Sequence, residues 1–231
     1  MKYVFLLFFL SSVTTNSQNY NVTENELFRS GNVLIKRLMT YDGDAKGNPY
    51  LNEDFQKGKI IFNNGKEYEA LIRLNVSEQK FEIRKDKNIQ PSAIEINKSV
   101  IVEIGDKKYK LHSFNLGSDI NTIGILEECM IDKNYSLYFF PQKKLEMEKK
   151  PQITAPTTGY SKPPRPEWKN NSTFIVFYKD KAYELPNSHK KVLALKLFDD
   201  KLYKKYRKSS KLNLKKKESL IGLLTYLNSS F

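Results

Sequence analysis

The sequence predicts an α+β protein, mostly antiparallel β, laid out as a meander of hairpins with a small basic helical unit at the C-terminal end. Three observations predict it. An apolar run, a short turn of Asn, Gly, Asp or Lys, and then Lys-x-Tyr-charged-apolar occurs three times. The apolar period changes from two to about 3.6 residues beyond Leu185. Aromatic residues make up 13% of the chain, with 14 Tyr and 14 Phe, ample for a packed core.

From the N-terminus, Met1-Lys2-Tyr3 precedes the unbroken apolar run Val4 to Leu10, followed by small and polar residues from Ser11 to Ser17. That order is a basic start, an apolar core and a small-residue cleavage zone, so residues 1–17 are expected to be a signal peptide cut before Gln18. The run is far short of the ~20 residues that cross a bilayer core, so no membrane span is expected after cleavage. The expected location is therefore outside the cytoplasm, periplasmic or extracellular. Cys129 is the single cysteine. An internal disulfide is excluded and packing must hold the fold. No cysteine stands at the cleavage zone to carry a lipid.

Residues 18–141 form the expected β-rich domain. Strands are predicted over 33–39, 80–83, 122–130 and 135–140. The clearest hairpin spans 59–72 around Asn64-Gly65, a pair that tolerates the positive φ angles of a type I′ turn. A second spans 100–111 with Gly105-Asp106 at its turn. A third, 174–185, turns at Lys179-Asp180. Alternation after each turn puts the Tyr and the next aliphatic residue on one face and the charges on the other, as a sheet with one wet face requires.

Residues 142–167 interrupt the pattern. Pro151, Pro156, Pro163, Pro164 and Pro166 fall there among Lys, Thr and Ser. So few apolar residues cannot offset ordering entropy, and the stretch reads as a linker or long exposed loop. Residues 168–231 are read as the third hairpin followed by two or three helices. Pro186-Asn187-Ser188 supplies a cap, and Val192, Leu195, Phe198, Leu202 and Tyr206 recur at helical spacing. Asp199-Asp200 is a point where this run splits. A last helix is predicted over 215–227, with Leu220, Ile221, Leu224 and Leu227 on one face.

Charge is concentrated in the same region. Residues 168–231 hold 15 Lys and Arg against 5 Asp and Glu, a net +10, while the rest, 24 against 21, adds +3 of the total +13. Lys204, Lys205, Arg207, Lys208, Lys211, Lys215, Lys216 and Lys217 are the anion-contact candidates, with Tyr203 and Tyr206 interleaved. Such a composition binds phosphates or stacks on bases. For an exported protein nucleic acid is a poor partner, and anionic lipid or polysaccharide fits the compartment better.

Two passages carry a resemblance. One is Gly47-Asn48-Pro49-Tyr50-Leu51-Asn52-Glu53-Asp54-Phe55-Gln56-Lys57-Gly58, running into the Asn64-Gly65 hairpin and Leu71-Ile72-Arg73-Leu74-Asn75. The other is the basic end from Lys190 through Lys211 to Tyr226-Leu227-Asn228. With Gln18 after the cleavage point, the chain resembles exported proteins of unknown function from Bacteroidota, the Gram-negative phylum that includes flavobacteria. The resemblance implies a periplasmic or surface location and brings no catalytic residues.

Convergent chemistry is sparse. His112 and His189 are the only histidines, and neither has a second His or a Cys at metal-ligand spacing. No cofactor is expected. Glu127 and Glu128 are adjacent on a predicted strand and so point to opposite faces. Glu53-Asp54 and Asp199-Asp200 read as turn or capping residues. There is no G-x-S-x-G, Walker-type or G-x-G-x-x-G motif. The leading expectation is a non-catalytic exported module contacting an envelope component or partner protein. A hydrolase of envelope polymer, using two carboxylates not adjacent in sequence, is the alternative. Attachment to an anionic membrane surface through the basic helices is a further one.

Overall fold

In a computed structural model of the protein, residues 33–36, 45–117, 121–147 and 165–231 are described. The expected signal peptide and most of the proline-rich stretch lie outside them. Among these residues the chain is an α+β protein: one antiparallel sheet of eleven strands, a two-stranded ribbon and three C-terminal helices.

The strands are β1 (Val33–Lys36), β2 (Gln56–Ile61), β3 (Glu67–Asn75), β4 (Lys80–Arg84), β5 (Ser92–Ile96), β6 (Ile101–Ile104) and β7 (Lys107–Asn115). They continue with β8 (Asn121–Met130), β9 (Tyr135–Phe140), β10 (Lys143–Met147), β11 (Pro166–Asn170), β12 (Thr173–Tyr178) and β13 (Lys181–Glu184). The sheet order is β1-β5-β4-β3-β2-β6-β7-β8-β9-β12-β13. The third hairpin therefore extends the first β region rather than forming a separate sheet, because β12 pairs along the whole of β9 from Thr173↔Phe140 to Tyr178↔Tyr135. β10 and β11, the ends of the expected linker, pair with each other in the ribbon.

Turn chemistry differs from the sequence reading at two places. The Asn64-Gly65 turn places positive φ on Gly65 (+77°). Gly65 N donates to Phe62 O at 3.0 Å and Phe62 N to Lys66 O at 2.9 Å. That is a three-residue loop with a glycine bulge, not a two-residue type I′ turn. The type I′ pattern instead falls on Lys179 (φ +48°) and Asp180 (φ +62°), which join Tyr178 and Lys181 directly. At β6–β7, Gly105 (φ +62°) takes the position that a type II′ turn assigns to glycine.

The sheet bends two ways. Phe81 on β4 and Tyr109 on β7 are four strands apart in the order, which is ~19 Å in a flat sheet, yet their ring centroids are 6.1 Å apart. The face carrying Tyr68, Ile72, Phe81, Val102, Tyr109 and Ile125 thus closes on itself as the first core. Beyond β7 the opposite face becomes the inner one: Phe114, Leu126, Tyr138, Phe140, Ile175 and Ala182 form another core, and β13 comes back against β7. The outer side of this second bend, with Tyr135, Leu137 and Val176, is covered by the helices.

Two details hold the bends. The segment after Lys46 lies over β3, with Leu51 N donating to Leu74 O at 2.9 Å and Val76 N to Pro49 O at 2.9 Å. Arg73 clamps it: the guanidinium sits 3.6 Å from the Tyr50 ring centroid and 4.4 Å from that of Phe55. It also meets the buried Glu82 carboxylate at 2.7 Å. The second detail is Gln79, at the β3–β4 turn with φ +53°. Its amide accepts from Ile125 N at 2.7 Å and donates to Pro141 O at 3.0 Å. The side chain thereby stands where the β8–β9 ladder would continue.

The helices are α1 (His189–Ala194), α2 (Asp200–Ser210) and α3 (Lys217–Asn228). The expected run from Val192 to Tyr206 is split where Asp199 caps α2, accepting from Lys201 N and Leu202 N at 2.9 Å each. Leu195, expected on the buried face, lies past the end of α1 and is 38% exposed. α3 buries Leu220, Leu223, Leu224 and Leu227 against the sheet. At ~1.5–3 kcal/mol per fully buried aliphatic side chain, this face accounts for the docking of the helical unit.

Candidate anion-binding face

α2 spends one side on the core and the other on charge. Tyr203 is fully buried, with its hydroxyl 2.7 Å from His189 Nδ1. Tyr206 packs on Tyr226 at 5.2 Å between ring centroids. Tyr203 is thus taken up by the core, and Tyr206, half-buried, packs along one side on Tyr226. The solvent side of α2 carries Lys204, Lys205, Arg207 and Lys208, all exposed. Lys211 ends the helix at φ +47°, and Lys215 and Lys216 are exposed in the connection to α3.

The eight sequence-predicted cations separate into two groups. Lys217 points inward: its Nζ is 2.9 Å from Glu127 Oε1. Lys204 stands 3.8 Å from Asp200 at the helix surface. Among the described residues the other six, Lys205, Arg207, Lys208, Lys211, Lys215 and Lys216, have no carboxylate within ion-pair distance. Unpaired cations on consecutive turns sum their fields over the same patch of solvent, which concentrates counter-anions there.

Glu127 fixes that face to the sheet. It is 2% exposed and receives Lys217, Lys107 (3.5 Å) and the Tyr109 hydroxyl (3.4 Å). The hydrogen bond to Glu127 raises the Lys217 ammonium above the ordinary lysine range. Burial, then the Glu127 charge, raises the Tyr109 phenol. Next to it Cys129 is the extra residue of a bulge between β8 and β9. Burial pushes its thiol up to about 12, the behaviour of a packed rather than a reactive cysteine. Glu128 is on the other face, 2.8 Å from Lys110.

The remaining titratable candidates stay apart. His112 packs edge-on against Tyr138 at 4.8 Å between ring centroids, and burial lowers its pKa. Burial and then Arg207 lower that of His189. Among the described residues no three His, Cys, Asp or Glu side chains group as a metal site. No helix among them is long and apolar enough to cross a membrane. Two carboxylates, Glu69 and Glu103, line one open groove of about 490 Å³. Each meets a lysine, Lys59 at 3.6 Å and Lys108 at 3.0 Å.

Sequence reasoning missed the inward turn of Lys217, since its partner lies 90 residues away. The fold and this surface define the class as a β-rich α+β protein with a basic helical face. No family model matches the chain, and neither a curated protein nor a solved structure gives a significant match to it.

Proposed function

We propose that this chain is an exported, non-catalytic module that binds an anionic component of the cell envelope through the exposed cations of α2 and the α2–α3 connection. The observation that carries the reading is the set of six basic side chains on α2 and the α2–α3 connection that, among the described residues, have no carboxylate within ion-pair distance. The N-terminal signature and the resemblance to exported Bacteroidota proteins are what support the exported location in this reading. A membrane-inserting helix keeps its apolar face free for lipid. Here α2 uses that face internally, with Tyr203 fully buried. Contact is therefore by charge alone, with phosphate or carboxylate groups lying at the surface of the partner.

Charge-only contact is screened by salt. Purified protein is expected to co-sediment with lipopolysaccharide aggregates at about 50 mM salt and to be released at about 500 mM, where the screening length is only a few ångströms. Lys205→Glu, Lys208→Glu and Lys211→Glu together are expected to abolish sedimentation without moving the melting temperature, because all three side chains are exposed. Binding that persists unchanged in high salt, or in the triple variant, would refute the reading.

A further inference from the structure

Among the described residues His112 Nε2 is a buried nitrogen without a hydrogen-bond partner. Such groups are rare in native folds. The strand register accounts for this one. His112 on β7 stands directly opposite Gly124 on β8, and Phe140 Cε2 lies 2.6 Å from where a Cβ at position 124 would be. The Tyr138 ring meets the imidazole edge-on at 4.8 Å, and Phe177 lies at 5.9 Å between ring centroids. These neighbours bring rings to the imidazole, not acceptors.

We propose that His112 is an acid-responsive latch of the second bend: gaining a proton there loosens the seam at which β13 returns against β7. A neutral imidazole packs among rings at little cost, whereas an imidazolium carries an N–H on both nitrogens, and at Nε2 nothing accepts it. The seam is the place that yields. Among the described residues β13 ends the sheet order and has a ladder only with β12, so side chains make its contact with β7. Phe177, opposite Ala182 of β13, ties that edge to His112.

Charge reaches the imidazole from Glu128 on β8, which favours the protonated ring, and from Lys110 on its own strand and Lys98 before β6, which oppose it. Glu128 is already held by Lys110 at 2.8 Å. β9 presents the Tyr138 phenol, pushed up to about 12 and so neutral here. β13 presents Ala182 and, at its exposed end on the same face, Glu184. Burial outweighs these charges and lowers the His112 pKa from 6.5. As pH falls through that value the opened or unfolded chain takes the proton first, so stability that is complete above it is lost below it.

Thermal melts of the full chain between about pH 7.5 and 5.5, a range in which histidine is the side chain that titrates, test this. The parent is expected to melt lower at the acid end. His112→Phe keeps a ring in place with no proton to gain, and is expected to lose most of that fall, while His189→Gln keeps it. With only two histidines in the chain, the ring-proton NMR signal missing from His112→Phe identifies His112, and its midpoint in the folded parent is expected below 6.5. Hydrogen exchange is expected to show β12 and β13 losing protection on acidification relative to β2 and β3, in the parent but not in His112→Phe. Sedimentation of His112→Phe with lipopolysaccharide at neutral pH is expected to match the parent, so this device and the anionic reading fail separately. An equal acid fall in His112→Phe, a midpoint at or above 6.5, or equal loss of protection in β2 and β3 overturns the inference.

Discussion

Glu127 shows how much one buried carboxylate settles. It draws Lys217 from a helix and Lys107 and Tyr109 from the next strand onto one oxygen pair. Removing its charge leaves two ammonium groups beside a dry surface. Because both lysines retain some water contact, Glu127→Gln is expected to cost about 1–3 kcal/mol rather than the larger penalty of a fully buried pair. The linkage runs in one direction. Lys217 and Tyr109 both have folded values raised above their ordinary 10.5 and 10.0. Their contribution is complete below those values and is lost as pH rises through the higher folded ones. Thermal melts are therefore expected to be insensitive to this cluster from pH 7 to about 9 and to fall above about 10. The Glu127→Gln chain should melt lower at neutral pH and show a shallower alkaline fall. An unchanged neutral melting temperature would remove Glu127 from this role. Strand alternation in the sequence already separates Glu127 from Glu128. The depth of Glu127 does not follow from it, because the residues that cover it come from β7 and α3.

Among the elements, the hairpins are the most legible and their turns the least. Near-continuous apolar runs located β9 and β12, which carry aromatic or aliphatic residues on each face and have polar ends. β5 was missed because Ser92-Ala93-Ile94-Glu95-Ile96 is too short to separate from loop, and it is fixed only by pairing with β1 and β4. The ribbon strands were missed because Pro166 and a run of charged residues hide them. The ribbon is secured from outside, by Lys46 N to Pro166 O at 2.8 Å and Trp168 N to Lys46 O at 3.0 Å. The Lys179-Asp180 turn bears the positive φ angles of a type I′ turn without glycine or asparagine. Non-glycine residues pay for left-handed backbone unless a short polar side chain assists it. Lys179→Asn is expected to stabilise by about 0.5 kcal/mol, read as a higher denaturant midpoint at constant slope. A lower midpoint would show that Lys179, whose ammonium lies 5.1 Å from the Tyr178 ring centroid, gains more from that contact.

At the scale of the whole molecule, the double bend was not legible at all. Parity of side chains along a strand says which residues share a face, but not which face is enclosed. Tyr109 and Phe114, on opposite faces of β7, are both buried because the sheet curls one way on each side of that strand. The basic surface was legible as composition, and its division, among the described residues, into two paired and six unpaired cations was not. Gln79 joins the two bends across 46 and 62 residues of chain. Contacts of such separation form only after the intervening segments are in place. The Gln79 amide is therefore expected to engage late, after the strands on both sides have formed, and to release before the two bends separate. Gln79→Ala is accordingly expected to leave the refolding rate nearly unchanged while unfolding about tenfold faster in stopped-flow measurements, as for an interaction absent from the transition state. Slower refolding would place the amide in the nucleus instead. A hold on the sheet that engages last and lets go first makes persistence of the native state, rather than speed of reaching it, the property that this single turn residue controls.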